Sequence, residues 1–581
     1  MSPTRSPFLE LPEEGSSRSD RFGGQLPPRG SERRRRLVWR ALPVVAGLVL
    51  LVILVVLIAG GGDTEGEKAA TRFGKAWERG DYAAMYRELA PGSRDATPED
   101  RFRAAHESAR ATATAAALRA GKPGEEGGRV RLPVQVDTRV FGTVRGDVEL
   151  GVDEKGRLLW AANDSFPGVP EGAALTRRSE VPRRAAILSR SGRVMTEGQA
   201  SARKQPLGAT GGAIVGQVGA PKEPDEQERL YARGFERDSL VGLTGLERIL
   251  DRKLAGTPGG RLMAGDRTLA AQRARAGEPV RTTIDLEVQD AAVRALGARF
   301  GGVAAIDPRT AEVRALAGIA FSAPQPPGST FKIITTAAAL EDDKVTLRDR
   351  FPVETKAVID GTDLDNANEE RCGGTFPQTF AHSCNSVFAP LGVKVGAKRL
   401  VEESESFGFN QDPGVPGAKP STIPEASQIT SDLDLGASAI GQGKVLATPL
   451  EMAIIAHTIA NGGLRRRPAF EPDAVDQRPV RVTTAKVAKT IERLMVRVVA
   501  DGTGTAARIP GVRVAGKTGT AELGPVREVE QDPGSDTDAW FTSYAPAGRS
   551  KLAVAVLLVR AGAGGQTAAP VARQVLQAGL D

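Results

Sequence analysis

The 581-residue sequence predicts a multidomain α+β protein. It should have one transmembrane helix near the N-terminus, a small helix-then-sheet domain, an irregular middle module, and a large C-terminal domain of antiparallel strands and helices. Three observations carry this expectation. The length exceeds what one core organises, since domains usually run to about 100–200 residues. Residues 41–60, ALPVVAGLVLLVILVVLIAG, contain no charge. Further on, apolar spacing switches between three- and four-residue steps and strict alternation, the marks of helix and strand respectively.

The first element is the uncharged run. Twenty residues are enough to cross a hydrocarbon core of about 30 Å as a helix, and the run is longer than the roughly 7–15 apolar residues of a cleaved signal peptide. No lipid-attachment cysteine follows it. Arg33–Arg36 and Arg40 precede it and Asp63, Glu65 and Glu67 follow it, so the positive-inside bias puts residues 1–40 in the cytoplasm and everything after 60 outside the membrane. The tail, rich in Pro, Gly, Ser and Arg, reads as disordered. Much of the net charge of +7 sits in this arginine block, where it is explained by membrane topology, so no nucleic-acid partner is expected.

Residues 64–168 read as a small α+β domain. Phe73, Ala76, Trp77, Tyr82, Met85, Tyr86 and Leu89 recur at helical steps over about 64–90, and a second helical stretch is expected over about 98–119. Alternation then places Val130, Leu132, Val134 and Val136 on one face of a strand, and further strands follow with a turn at Asp153–Gly156. This domain holds no catalytic constellation, so a spacer or docking role is expected. Residues 180–278 are irregular and glycine-rich, with a helix beginning near Thr244 whose apolar stripe is Leu246, Ile249, Leu250 and Leu254. Residues 281–581 form one large domain. It opens with a helix entry at TTIDLEVQDAAVRAL and two strands joined at Asp307–Thr310.

In that last domain Ser329 and Lys332 stand in PGSTFK, ahead of the apolar run IITTAAAL. Residues i and i+3 share a helix face, so Lys332 can reach the Ser329 hydroxyl. Burial lowers a lysine's pKa and makes its neutral amine available as a base. Alone, this pair is no more than a helix cap and a lysine. Two further triplets change its weight: Ser383-Cys384-Asn385, and Lys517-Thr518-Gly519 with Thr520 after it. S-x-x-K, S-x-N and K-T-G in this order are the signature of penicillin-binding proteins and class A β-lactamases.

On these residues the chain resembles the class B, single-activity penicillin-binding protein transpeptidases. AIGQGKVLATPLEMA at 439–453, KTGTAE at 517–522 and AWFTSYAP at 539–546 extend the likeness. Residues 281–581 would then be a serine β-lactamase/transpeptidase-like domain, and 180–278 the family's dimerisation-type module. The 64–168 domain is similar, more loosely, to the nuclear-transport-factor-like domain of methicillin-resistance-type transpeptidases.

The resemblance implies a D,D-transpeptidase that cross-links peptidoglycan stem peptides and is acylated by β-lactams. Ser329 would be the nucleophile and Lys332 its base. Ser383 would relay a proton to the leaving amine, and Asn385 would hold the substrate backbone. Lys517, Thr518 and Thr520 would receive the terminal carboxylate, with Gly519 between them. The N–H groups of Ser329 and Thr520 would form the oxyanion hole. No glycosyltransferase module is evident, so a glycan polymerase of the division or elongation machinery is the expected partner. No cofactor is implied.

Cys372 and Cys384 lie 12 apart, and an extracytoplasmic location permits a disulfide, but spacing leaves two free buried thiols equally open. Neither stands at a metal-type spacing, and His106, His382 and His457 are scattered, so no metal site is expected. The sequence also departs from the family. Asp538 stands where many relatives have histidine, AAILSRSGRVM at 185–195 keeps only the outline of the corresponding motif, and the polar run between Glu522 and Asp538 reads as a mobile loop beside the site. Two other functions stay open. One is a serine hydrolase on the same fold, either a β-lactamase or a D,D-carboxypeptidase. The other is a non-catalytic wall-synthesis scaffold or β-lactam sensor.

Overall fold

The computed structural model describes residues 63–476, 478–522 and 537–580. The tail of 1–40, the apolar run of 41–60 and most of the polar run before Asp538 lie outside the described residues. Among the described residues no helix is long and apolar enough to cross a membrane.

The chain enters helix α1 (Glu65–Arg79) through a capping box in which Thr64 and Glu67 satisfy each other's backbone N–H groups. Gly80, left-handed at φ 70°, ends it. The single expected helix of 64–90 is therefore two, with α2 (Tyr82–Arg87) starting afresh on the Asp81 cap. Helix α3 (Pro91–Ala96) leads to α4 (Glu99–Thr112).

The second helix is shorter than the expected 98–119. Thr114 turns left-handed, and Ala115–Ala120 becomes strand β1, pairing with β3 (Arg129–Thr138) at Leu118↔Val136 and Ala120↔Val134. The alanines favour helix locally, but an open sheet edge takes them. Strands β2 (Gly124–Glu126), β4 (Thr143–Val152) and β5 (Leu158–Leu159) complete an antiparallel sheet in the order β1-β3-β4-β5, with β2 on β3. Val130, Leu132, Val134 and Val136 all face inward, as their alternation predicts, onto Phe73, Trp77, Met85 and Phe102.

The middle module is built around a three-stranded sheet, β6 (Leu175–Glu180), β7 (Gly259–Ala264) and β8 (Arg267–Gln272), in the order β8-β7-β6. Leu262 on β7 joins the core of the first domain. The helix expected near Thr244 is two short pieces, Gly245–Ile249 and Asp251–Leu254. Leu246, Leu250 and Leu254 are buried along them. Arg184, itself buried, bonds Glu247 (2.6 Å) and Asp251 (2.9 Å), and Arg203 bonds Glu247 from the other side (2.6 Å). A buried charge without a partner is costly, so this network pins the helical pieces to two irregular segments distant in sequence.

The C-terminal domain contains a five-stranded antiparallel sheet. Its strands are β9 (Gly301–Ile306), β10 (Val313–Gly318), β11 (Ala515–Glu522), β12 (Thr537–Ala545) and β13 (Leu552–Leu558), in the order β10-β9-β13-β12-β11. Helices α5 (Leu286–Leu296) and α10 (Ala568–Ala578) cover one face through Val288, Ala292, Val571 and Val575. The other face packs on α8 (Pro449–Ala460) and α9 (Ala485–Asp501), and beyond them on a helical lobe containing α6 (Lys332–Glu341) and α7 (Asn385–Val395). Edge strand β11, which carries Lys517–Thr520, thus borders the seam between sheet and helical lobe.

Candidate active site

Ser329 lies in a 3₁₀ turn, Gly328–Phe331, that runs directly into α6 at Lys332. Glycines let this turn approach its neighbours. Gly328 is left-handed (φ 51°), and a Cβ there would come 2.6 Å from the Thr520 carbonyl. A Cβ on Gly519 would meet the Pro327 carbonyl at 2.7 Å, and one on Gly441 would meet the Gly328 carbonyl at 2.1 Å. The Gly328 N–H donates to that Gly441 carbonyl (2.9 Å). The serine turn is therefore held between strand β11 and the AIGQGK loop at distances only glycine permits.

The second motif arrives on the loop before α7. Ser383 is left-handed (φ 62°), rare for a residue with a Cβ, and its carbonyl is turned to Lys332. Next to it Cys384 is bonded to Cys372, Cα to Cα 5.4 Å. The bridge ties the head of α7 to the strand segment 372–375. Lys517 comes from the third direction, paired with Thr542 in the β11–β12 register.

The four motif residues meet at one point. Lys332 Nζ donates to Ser383 O (2.7 Å), Asn385 Oδ1 (2.7 Å) and Ser383 Oγ (3.3 Å). Lys517 Nζ donates to Ser383 Oγ (2.8 Å) and Thr518 O (3.0 Å). Asn385 Nδ2 donates to Asp365 O (2.6 Å), which fixes the amide so that its oxygen faces the lysine. Helical spacing alone suggests a bond from Lys332 to Ser329. The structure directs Nζ to the second motif instead, and Ser329, half-buried at the seam, makes no side-chain hydrogen bond among the described residues.

Both lysines are fully buried. Burial, and then the Lys517 charge beside it, hold the Lys332 pKa well below its ordinary value. Burial alone brings Lys517 down to about 7. Two ammonium ions sharing Ser383 repel, so the site favours one proton between them, resting on Lys517. In a neutral Lys332 the two short bonds use both N–H groups and leave the lone pair free to accept a proton from a hydroxyl.

Several residues around this point carry no motif of their own. Thr503 Oγ1 shares a 2.6 Å hydrogen bond with Thr518 Oγ1, and the Gly564 N–H donates to Thr520 Oγ1 (3.4 Å). Only the glycine-rich run DGTGTA at 501–506 hints at the former, and nothing near Asp365 signals its carbonyl's part. Asp538 is buried beside Ala521 in the strand register, where its Oδ1 accepts the Arg560 N–H (2.9 Å). Burial raises its pKa, and it bonds none of the motif residues.

The penicillin-binding protein transpeptidase domain model matches residues 301–577, and the penicillin-binding protein dimerisation domain model matches 194–282. A peptidoglycan D,D-transpeptidase PbpA of Mycolicibacterium smegmatis is 32% identical over 407 residues, covering 58% of this chain and 79% of the relative. The chain belongs to the class B penicillin-binding protein transpeptidases. The PbpA of Mycobacterium tuberculosis is 36% identical over 293 residues, which span 45% of this penicillin-binding protein and 56% of that relative. Among solved structures, penicillin-binding protein A of M. tuberculosis, as its ceftriaxone acyl-enzyme, superposes with a TM-score of 0.55. It is 26% identical, with 69% of this chain and 99% of that one covered.

Proposed function

We propose that this penicillin-binding protein is a membrane-anchored peptidoglycan D,D-transpeptidase working through a Ser329 acyl-enzyme. The observation that carries the reading is the junction of Lys332, Ser383, Asn385 and Lys517 beside Ser329, with bonds of 2.7–3.3 Å and both amines buried.

Neutral Lys332 takes the Ser329 proton as Oγ attacks the carbonyl between the last two D-alanines of a stem peptide. The Ser329 and Thr520 N–H groups face the developing oxyanion, and the contact between Gly328 and the Thr520 carbonyl keeps those two segments adjacent. Collapse of the tetrahedral intermediate breaks the C–N bond. The departing D-alanine amine receives a proton through Ser383 Oγ, which lies within hydrogen-bond reach of both lysines. Protonated Lys517, with the Thr518 and Thr520 hydroxyls, holds the terminal carboxylate. A second stem-peptide amine then attacks the ester, loses its proton to the same relay and releases Ser329 with a new amide cross-link.

The apolar run of 41–60 would anchor the chain in the membrane, with the N-terminus cytoplasmic and the catalytic domain outside. A glycan polymerase would supply the strands to be joined. The order of helices and curled sheet over 64–168 supports a nuclear-transport-factor-like spacer. Labelled penicillin tests the chemistry. Wild type should label covalently and keep the label over many minutes, while Ser329→Ala should not label at all. Full labelling of that variant overturns the nucleophile, and release within seconds would identify a β-lactamase instead.

A further inference from the structure

The first domain holds a buried imidazole that the domain's own groups leave unused. His106 on α4 is 2% exposed, and neither ring nitrogen has a hydrogen-bond partner among the described residues. Five rings surround it: Phe102 at 4.6 Å between centroids, Trp77 at 5.0 Å, Tyr82 stacked at 5.7 Å, Trp160 at 5.7 Å and Phe73 at 6.3 Å. A phenyl ring would fill such a cage without desolvating two nitrogens, and buried polar groups are otherwise almost always paired. Burial pushes the imidazole down to about 3, so it is neutral and presents one N–H donor and one acceptor nitrogen.

His106 lines a cavity of about 110 Å³, with Trp77, Tyr82, Leu118, Val136 and Phe166 as its apolar walls. Arg79 and Arg110 also line it and are exposed to solvent. Among the described residues neither guanidinium is in an ion pair, and the neighbouring Glu78 carboxylate already accepts the Ala120 N–H (2.8 Å). The cavity thus has a neutral donor–acceptor group inside, ring faces along its length and two unpaired cations toward solvent. A volume of this order takes a single ring, since an engineered apolar cavity of about 150 Å³ holds benzene.

We propose that this cavity binds a small planar molecule with a hydroxyl at its inner end and a carboxylate at its outer end, a hydroxylated aromatic acid. The hydroxyl forms one hydrogen bond with His106, donating to its acceptor nitrogen or accepting from its N–H, the ring stacks among Trp77, Tyr82 and Phe166, and the carboxylate meets Arg79 and Arg110, whose planar forks match it.

The test is calorimetric titration of the full chain with 4-hydroxybenzoate, after penicillin acylation so that the cleft's own carboxylate-binding groups are covered. Saturable binding at one site is expected, with benzoate and phenol each weaker by at least about tenfold. Arg110→Ala, a surface change, should weaken 4-hydroxybenzoate at least about fivefold and leave phenol unchanged. His106→Phe should erase the preference for 4-hydroxybenzoate over benzoate, with penicillin labelling intact. No saturable binding up to about 10 mM, no preference for the hydroxyl, or affinity untouched by Arg110→Ala would each overturn the proposal. The exposed arginine decides the matter should the histidine variant not fold.

Discussion

Replacing Lys517 with methionine should make this protein more stable and disable it in the same stroke. Folding carries the Lys517 ammonium from water into a fully buried site, where its pKa falls from 10.5 to about 7. At about 1.4 kcal/mol per tenfold, that corresponds to roughly 5 kcal/mol of destabilisation while the group is charged in the unfolded chain. Methionine has a similar length and no charge. Its cost is the Thr518 carbonyl left without its 3.0 Å donor, about 1–3 kcal/mol, whereas Ser383 Oγ keeps the Lys332 contact. The net expectation is a gain of about 2–4 kcal/mol at pH 7, or roughly 3–6 °C in the melting of a domain of this size.

The pH dependence has a defined sign. Between about 7 and 10.5 the unfolded chain holds the Lys517 proton and the folded site does not. The unfolded state then binds more protons, and wild-type stability climbs as pH rises across that window. Below about 7 the full penalty applies, so the advantage of Lys517→Met is close to its maximum at pH 7 and shrinks toward pH 10. Loss of the Lys517 charge also raises the Lys332 pKa, leaving less neutral base and slower acylation at neutral pH. Thermal melts at pH 7 and pH 10, with labelled-penicillin kinetics on the same samples, check both halves. A variant that melts below wild type at pH 7, or whose advantage is the same at both pH values, refutes the reasoning.

Further tests follow from the same geometry. Reducing the Cys372–Cys384 bridge, or replacing both cysteines with serine, should cost about 2–3 kcal/mol for a closed loop of this length. It should also slow acylation, because the bridge anchors the loop carrying Ser383 and Asn385, and chemical denaturation with and without reductant reads the first effect. Gly328→Ala places a Cβ 2.6 Å from the Thr520 carbonyl at a left-handed position. The serine turn must shift, and penicillin acylation should fall by about 100-fold with the far-UV spectrum unchanged. Glu451, buried on α8, has its pKa raised from 4.5 to about 7. The folded state holds that proton while the unfolded chain has lost it, so wild-type stability falls as pH rises from 4.5 to 7. Glu451→Gln should gain on wild type by up to roughly 3 kcal/mol between pH 5 and pH 8 in denaturant titrations.

The first domain shows how far pattern reaches. Val130, Leu132, Val134 and Val136 alternate, and all four are buried, because a strand with one wet face admits no other register. AAALRA at 115–120 misleads for the converse reason. Its residues are strong helix formers, but propensity is worth only tenths of a kcal/mol per residue, and the hydrogen bonds offered by the edge of β3 outweigh it. Helix ends were legible where a cap announced them, as at Asp285 before α5. They were not legible at Gly80, whose left-handed turn divides an otherwise continuous apolar period.

At the candidate site, the three motifs alone named the residues proposed to carry chemistry, since a nucleophile, a buried base and a carboxylate receiver each require particular functional groups. The order of the motifs also marked this as one domain. Tertiary structure alone decided who touches whom. Helical spacing points Lys332 at Ser329, yet the amine bonds Ser383 and Asn385, which lie more than fifty residues further along the chain. The lowered pKa of either lysine, the part played by Asp365 and Thr503, and the joining of Cys372 to Cys384 likewise depend on segments brought together only by folding. Hydrogen bonds and burial are properties of distance in space, and a one-dimensional pattern records them only where neighbours in the chain are also neighbours in the fold.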